Sequence, residues 1–506
     1  MLTGDPCLHN MNFSRKWELT IRVFLVVLLH SVVSFVTPSP GLRPPSPKGR
    51  GAGGEGAGAE GRTHAKLIMS SCITLSLLIV TVFGHFAFGA DPTRSADCSA
   101  SLNWLRSQIV PNRQVPTPHP QRRGLILSYA PGQGQKGPLY DKSFVYDAAA
   151  GAIALVVASD WGNAAKILDA LVRVQREDGS FWFSYSSRND WPNEIDHDMA
   201  VVRTGATSWA GYALCFYLQN RSEVANAVTA RQRQRYLVAA RRAADFISRQ
   251  RANEPPLARG LLKGGQGVVK VHRHTDKKKV VEIYQDRSVL WVSTEHNISS
   301  YFFLTALYQL TQEPRYGTRA AEVSDRLMAV LWQPDVGQFA TGLKEDGTLN
   351  GDRALDCASW GALFLLARGE KEKAKIAIET ADRVYANEDC GVRGHRPYHA
   401  EPIYEDPGVQ QLLLPKRPEA TWKDLPFVWS EGSLGVALAH LRLGNITRAN
   451  EIVNEMEKLK EGDGIKYATR DLPYIFSAGA SVAGTAWHVI LKEAFTDPRA
   501  KGFWNP

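Results

Sequence analysis

The chain is poor in the residues that mark several large classes of protein. It holds six cysteines and six methionines in 506 residues. No two cysteines form a CxxC pair or a zinc spacing, and no HExxH helix occurs. Its apolar runs, residues 23–36 and Ile73–Phe88, fall short of the roughly 20 residues that a membrane-spanning helix needs. Lys and Arg outnumber Asp and Glu by 60 to 51, a net charge of +9, yet no basic stripe interleaved with aromatics is present. These absences argue against a resident metal or other cofactor, against a nucleic-acid partner, and against a stable membrane span in the mature chain.

What is present begins with an N-terminal region unlike the rest. Residues 37–62 are dominated by Pro, Gly and Arg and could not support a core. Ile73–Phe88 follows Lys66 and Met69 and exits through Ala87-Phe88-Gly89-Ala90, the basic flank, apolar core and small-residue end of a secretory signal. The expected division is therefore 1–68 as an over-extended or disordered region, 69–90 as a signal peptide, and 91–506 as the mature, secreted or periplasmic protein. A retained membrane anchor followed by a disordered linker is the alternative. Cys98, Cys215, Cys357 and Cys390 remain after cleavage; export permits a disulfide, and buried free thiols serve as well. The basic run Lys270–Lys279 is read as a solvated loop.

From Tyr140 onward one plan repeats. Ser143–Ala158 is apolar all round, whereas Gly162–Gln175 carries a one-sided stripe at Ile167, Leu168, Leu171 and Val174. The same pair recurs at Thr204–Leu218 with Tyr236–Ser248, Thr294–Leu310 with Arg319–Trp332, Leu355–Ala367 with Glu372–Tyr385, and Ser430–Leu443 with Thr447–Leu459. Ala478–Leu491 supplies a sixth inner helix, and Leu102–Ile109 could be its outer partner. A helix apolar on every side must be surrounded, while a striped one can turn its back to water. Alternating the two predicts an all-α fold: an inner ring inside an outer ring, an (α/α)6 toroid with short β-turns and a long loop at the cleft.

The hairpins, turns such as Gln175-Arg-Glu-Asp-Gly-Ser-Phe-Trp182, and polar residues opening the inner helices resemble the six-hairpin glycosidase superfamily over residues 95–500. The resemblance implies a cleft at the mouth where the inner helices begin, with two carboxylic residues as acid and base. It does not fix the reaction, since polysaccharide lyases, sugar epimerases and terpene cyclases share the toroid. Few suitable histidines and the signal argue against an epimerase. A lone Gln/Trp turn and Asp196-His197-Asp198 fall short of a terpene cyclase.

The residues opening the inner helices are Tyr140, Asp141, Tyr146 and Asp147; Arg203 and Trp209; Trp291, Glu295, His296 and Asn297; Asp356 and Trp360; and Trp429 with Glu431. Aromatics mixed with carboxylates and amides suit a sugar, whose C–H face needs a ring and whose hydroxyls need polar partners. Glu295 and Glu431 are the expected catalytic pair of an inverting glycoside hydrolase acting on a poly- or oligosaccharide. The competing reading for each is capping or helix-dipole compensation in a first turn. Two loops stand outside the plan: Ser186–Met199, with Glu194, Asp196, His197 and Asp198, and Gly391–Pro426. In the second, Tyr398, His399, Arg393 and Arg396 would serve the alternative of a lyase on a uronate chain. A non-catalytic glycan-binding toroid is the other alternative.

Overall fold

The computed structural model describes residues 98–130, 140–190, 201–221, 230–276, 279–399, 422, 425–472 and 476–505, with backbone alone for 268–286. The N-terminal region with its signal and alternative start, the acidic cluster at 191–198 and most of the 391–426 loop, including Glu401, Tyr404 and Glu405, lie outside the described residues.

Six helices form a closed inner ring: α2 (Val145–Val157), α4 (Thr204–Asn220), α6 (Thr294–Thr311), α8 (Asp356–Ala367), α10 (Ser430–Arg442) and α12 (Val482–Ala494). Each packs on the next, and α12 returns to α2. In α2 every residue except Tyr146 is buried, and α4 is buried without a break from Thr204 to Leu218. The outer partners are α3 (Trp161–Val174), α5 (Ala230–Arg249), α7 (Pro314–Arg326), α9 (Lys371–Tyr385) and α11 (Ile446–Glu457). The sixth partner is α1 (Ser99–Ser107), which packs on α12. On α3 only one face is buried, at Ala164, Ile167, Leu168, Ala170, Leu171 and Val174. All-round and one-sided burial thus sort the helices into rings as the hydrophobic pattern predicts.

Local signals start the helices. Asp160 accepts from the Asn163 N–H at 3.3 Å ahead of α3, and Ser481 accepts from the Gly484 N–H at 3.1 Å ahead of α12. After the outer helices the chain returns through short β-elements. One departs from this scheme: β4 (Lys263–Asp276) and β5 (Lys279–Ser293) form a long antiparallel hairpin. It sits in a five-stranded sheet of order β3-β4-β5-β8-β9 with β3 (Val201–Arg203), β8 (Gly342–Leu343) and β9 (Leu349–Asn350). The basic run expected as a loop is therefore mostly strand. Seven of the thirteen residues from Val280 to Val292 are β-branched or aromatic, a strand preference that the run of charge obscures.

The far end of the toroid is plugged by the C-terminal segment, α13 (Pro498–Gly502) and the two aromatics after it. Trp504 stacks on Phe302 at 4.8 Å and packs on Trp209 and Trp360, both at 4.9 Å. Its N–H donates to the Tyr212 hydroxyl at 2.8 Å, and its carbonyl accepts from Arg442 at 2.8 Å. Cys98, Cys215 and Cys357 are buried and Cys390 is exposed. No helix among the described residues is long and apolar enough to cross a membrane.

Candidate active site

The inner helices all begin at one mouth, so their first turns converge there. Four of those turns carry an acid whose ordinary ionisation is suppressed, Asp147 and Glu431 buried and Glu295 and Asp356 half-buried. Burial pushes the Glu431 carboxyl up to about 8, and the charges of Asp147 and Glu295 add to it. Burial and the neighbouring Asp356 push Glu295 up to about 8, opposed by Arg203. Asp356 is raised to about 6, again chiefly by burial, against the N–H of Cys357, which donates to its Oδ1 at 2.9 Å. On α2, burial raises Asp147 to about 7, moderated by a hydrogen bond with Ser128. Glu295 and Asp356 stand on adjacent helices, and the charge of Asp356 favours the neutral form of Glu295.

Neither glutamate caps its helix through its side chain. At α6 the cap is Ser293, whose hydroxyl accepts from the His296 N–H at 3.3 Å. Ahead of α10, Trp429 makes no side-chain cap, and the Glu431 side chain turns instead to α2, where its Oε1 accepts from the Tyr146 hydroxyl. Tyr146 in turn accepts from Trp487 Nε1 at 2.7 Å, tying α10, α2 and α12 together.

The rings around these acids fall into two groups. Trp291 lies 5.4 Å from the His296 ring, and the Arg203 guanidinium sits 4.6 Å from the Phe183 centroid and 6.0 Å from that of Trp291. Close packing here depends on glycine: a Cβ on Gly205 would stand 2.4 Å from the His296 ring, and one on Gly264 would stand 2.6 Å from Trp291. Burial and Arg203 drive His296 down to about 3, so it is neutral, and its Nδ1 has no hydrogen-bond partner among the described residues. Trp429 packs at 6.2 Å from Tyr467 and at 5.9 Å from Phe476.

Other residues expected to touch substrate are placed differently. Trp209 and Trp360 are buried, packed on Tyr146, Trp487 and Trp504, and form a floor beneath the acids rather than a wall. Asn297 is fully buried. Its Oδ1 accepts from the Leu262 N–H at 2.8 Å, and its Nδ2 donates to the carbonyls of Leu262 and Ser293 at 3.1 and 2.8 Å. That amide bolts α6 to the β4 strand and has nothing left for a ligand, nor could it be glycosylated. Asp141 faces Arg188 at 3.7 Å at the half-exposed start of β1 (Lys142–Phe144), beside Tyr140.

Of the cations weighed for an acidic substrate, Arg393 is paired with Glu455 on outer helix α11 at 3.0 Å, and Arg396 donates to the Trp422 carbonyl at 2.8 Å. Tyr398 does feel Asp356 and Glu295, and with burial they push its hydroxyl well above the usual phenol value. Sequence reasoning did not single out Trp487 or Tyr467. Trp487 is an indole donor on a buried stretch of an inner helix, a polar group that must find a partner once buried. No cluster of His, Cys, Asp and Glu able to hold a metal occurs among the described residues.

The chain has an (α/α)6 toroid fold. Among solved structures it is similar to a D-mannose isomerase, with a TM-score of 0.52 and 13% identity over 82% of this chain and 99% of that one. It is likewise similar to a glycosidase with a glutamate-to-alanine substitution in complex with glucose (TM-score 0.50, 10% identity, 80% of this chain and 99% of that one). A glycosidase with a tyrosine-to-phenylalanine substitution gives a TM-score of 0.51 at 10% identity over the same shares. No protein-family model matches the chain, and no curated protein does. At these identities the likeness establishes the fold.

Proposed function

We propose that the protein is an exported glycoside hydrolase that cleaves a poly- or oligosaccharide, with Glu295 and Glu431 as its acid–base pair. The observation that carries this is the placement of both glutamates in first turns at one mouth, Glu431 buried and Glu295 half-buried, within reach of each other's charge, and held up to about 8. A structural carboxylate is normally paired with a cation and depressed; these two are kept ready to hold or exchange a proton near neutrality. Aromatic rings at Trp291 and Trp429 offer apolar faces beside them.

An inverting course is the reading we adopt. Glu295 and Glu431 sit on α6 and α10, with α8 between them in the ring. Helices pack about 8–10 Å apart, so second neighbours in a hexagon have axes roughly 16 Å apart. Two side chains reaching inward across that span suit the wide carboxyl separation that admits a water better than the narrow one of a retaining pair. Hydrolysis is favoured over lyase chemistry because Tyr398, the candidate base, is made harder to ionise by its acidic neighbours. Export rests on the basic flank, apolar core and small-residue exit of residues 66–91.

The decisive experiment incubates residues 91–506 with neutral and uronic-acid polysaccharides in heavy-oxygen water. One heavy oxygen per cut, abolished by Glu295→Gln and by Glu431→Gln, supports hydrolysis by this pair. Products lighter by one water, formed equally by both variants, would mean a lyase. The intact mass of the natural protein tests export processing; a mass retaining residues 1–68 rules it out.

A further inference from the structure

The hydrogen bonds behind Glu431 have a direction, and the direction decides which of its oxygens can carry a proton. Trp487 Nε1 stands 2.7 Å from the Tyr146 oxygen, and an indole nitrogen can only donate. The Tyr146 oxygen is therefore the acceptor in that bond, and its own hydrogen is left for Glu431 Oε1. Burial and the Glu431 charge hold the Tyr146 phenol well above its ordinary value, so it keeps the hydrogen that it donates. Oε1 is thus fixed as an acceptor. When the carboxyl is neutral its hydrogen belongs on Oε2, which is buried and has no hydrogen-bond partner among the described residues. Tyr467 stands near enough to favour the charged carboxylate, yet makes no hydrogen bond to Oε2.

We propose that Glu431 is the general acid, delivering a proton from Oε2 to the glycosidic oxygen, and that Trp487 and Tyr146 are positioning residues that set the polarity of its carboxyl. The assignment rests on the hydrolase reading above and goes beyond it by separating the roles of the two glutamates. As the anomeric carbon–oxygen bond breaks, the Oε2 proton passes to the departing sugar oxygen, which leaves as an alcohol. A water adds to the anomeric carbon and yields its proton to the Glu295 carboxylate. Tyr146, still donating to Oε1, then bonds an ionised carboxylate and stabilises the new charge. One water is consumed, and exchange with solvent returns both groups to their starting states. The acids facing Glu431 from across the ring, Asp147 on α2 and Glu295 on α6, favour its neutral form.

The test uses residues 91–506 and compares a polysaccharide cut by the wild type with 2,4-dinitrophenyl glycosides and glycosyl fluorides of the same sugar, whose leaving groups need no proton. Glu431→Gln should lose about a thousand-fold on the polysaccharide but no more than about ten-fold on the activated substrates. Glu295→Gln should lose comparably on both. The opposite pattern overturns the assignment while leaving the hydrolase reading intact; a wild type that hydrolyses nothing removes both. For the positioning role, Tyr146→Phe and Trp487→Phe should move the alkaline limb of the pH profile upward, because a bond favouring ionised Glu431 is lost. A fall in melting temperature with an unmoved limb would show that they only pack. An equal shift in Tyr467→Phe would place the hydrogen-bond donor on the wrong tyrosine.

Discussion

Two sets of buried acids in this molecule have opposite electrostatics. At the mouth, Glu295, Glu431, Asp147 and Asp356 are surrounded by rings, hydroxyls and one another, and all four are raised. Between the rings, Asp382 on α9 accepts from Arg448 at 3.0 Å and sits 3.2 Å from His395 and 2.8 Å from His440. These partners hold its carboxyl far below the ordinary range despite burial. Glu455 and Glu457 are also depressed, to about 2, by their own cationic and hydrogen-bonding neighbours. Burial opposes the charge in both regions. What differs is compensation: the structural acids have cations and the mouth acids have almost none. A protein that leaves four acids uncompensated at one mouth forgoes stability there, as catalytic sites commonly do.

The contrast can be sharpened by substitution. The largest effect is expected from Glu295→Gln and Glu431→Gln, each lowering polysaccharide turnover by about a thousand-fold or more. The same variants should melt higher than wild type at pH 8 to 9, by roughly a few degrees. The sign follows from linkage. A carboxyl raised in the folded state contributes most stability below its ordinary value, and loses it as pH climbs through about 8. The gain should vanish near pH 5; melting points lowered at every pH would break the comparison.

Next in size is Asp382→Asn, which removes the common partner of two histidines and an arginine. A loss of about 1–3 kcal/mol in urea unfolding is expected, with turnover of the intact fraction unchanged. Here the linkage sign reverses. A depressed carboxyl contributes its stability above the ordinary value of 3.8, and that contribution fades as pH falls below it. The destabilisation should therefore be full at pH 7 and shrink in acid.

A smaller, purely kinetic effect is expected from pH. Wild-type turnover should fall above about 8, where Glu431 loses its proton, and on the acid side as Glu295 takes one up. Asp356→Asn removes the like charge that raises Glu295 and should move the acid limb to lower pH. An unmoved limb would uncouple the two groups. The smallest effect belongs to exposed pairs such as Arg315 with Asp245: Arg315→Ala should change stability by under about 0.5 kcal/mol.

How much of this was legible beforehand differs between fold and site. The inner helix over Ser143–Ala158 was readable because thirteen of its sixteen positions are apolar or glycine, and the observed α2 covers Val145–Val157. Even α1 as the outer partner of α12 followed from counting, because one helix was left without a mate. The β4–β5 hairpin was not recognised, since charge drew attention away from its β-branched and aromatic residues. At the site, Glu295 and Glu431 were found from their place at helix starts, but the same reasoning selected Asn297, which holds backbone, and Trp209, which lies under the floor.

The sequence by itself determined two rings of helices, because all-round and one-sided apolarity are periodic properties that each helix carries locally. It also determined which residues lie at the inner helix starts. Only the tertiary structure decided which acids at those starts lack a cation and which rings cover them. It alone brought Trp487, 341 residues along from Tyr146, to the phenol that holds Glu431. Charge compensation and hydrogen-bond direction are properties of neighbours, and in a closed ring the neighbours of a side chain come from distant parts of the chain.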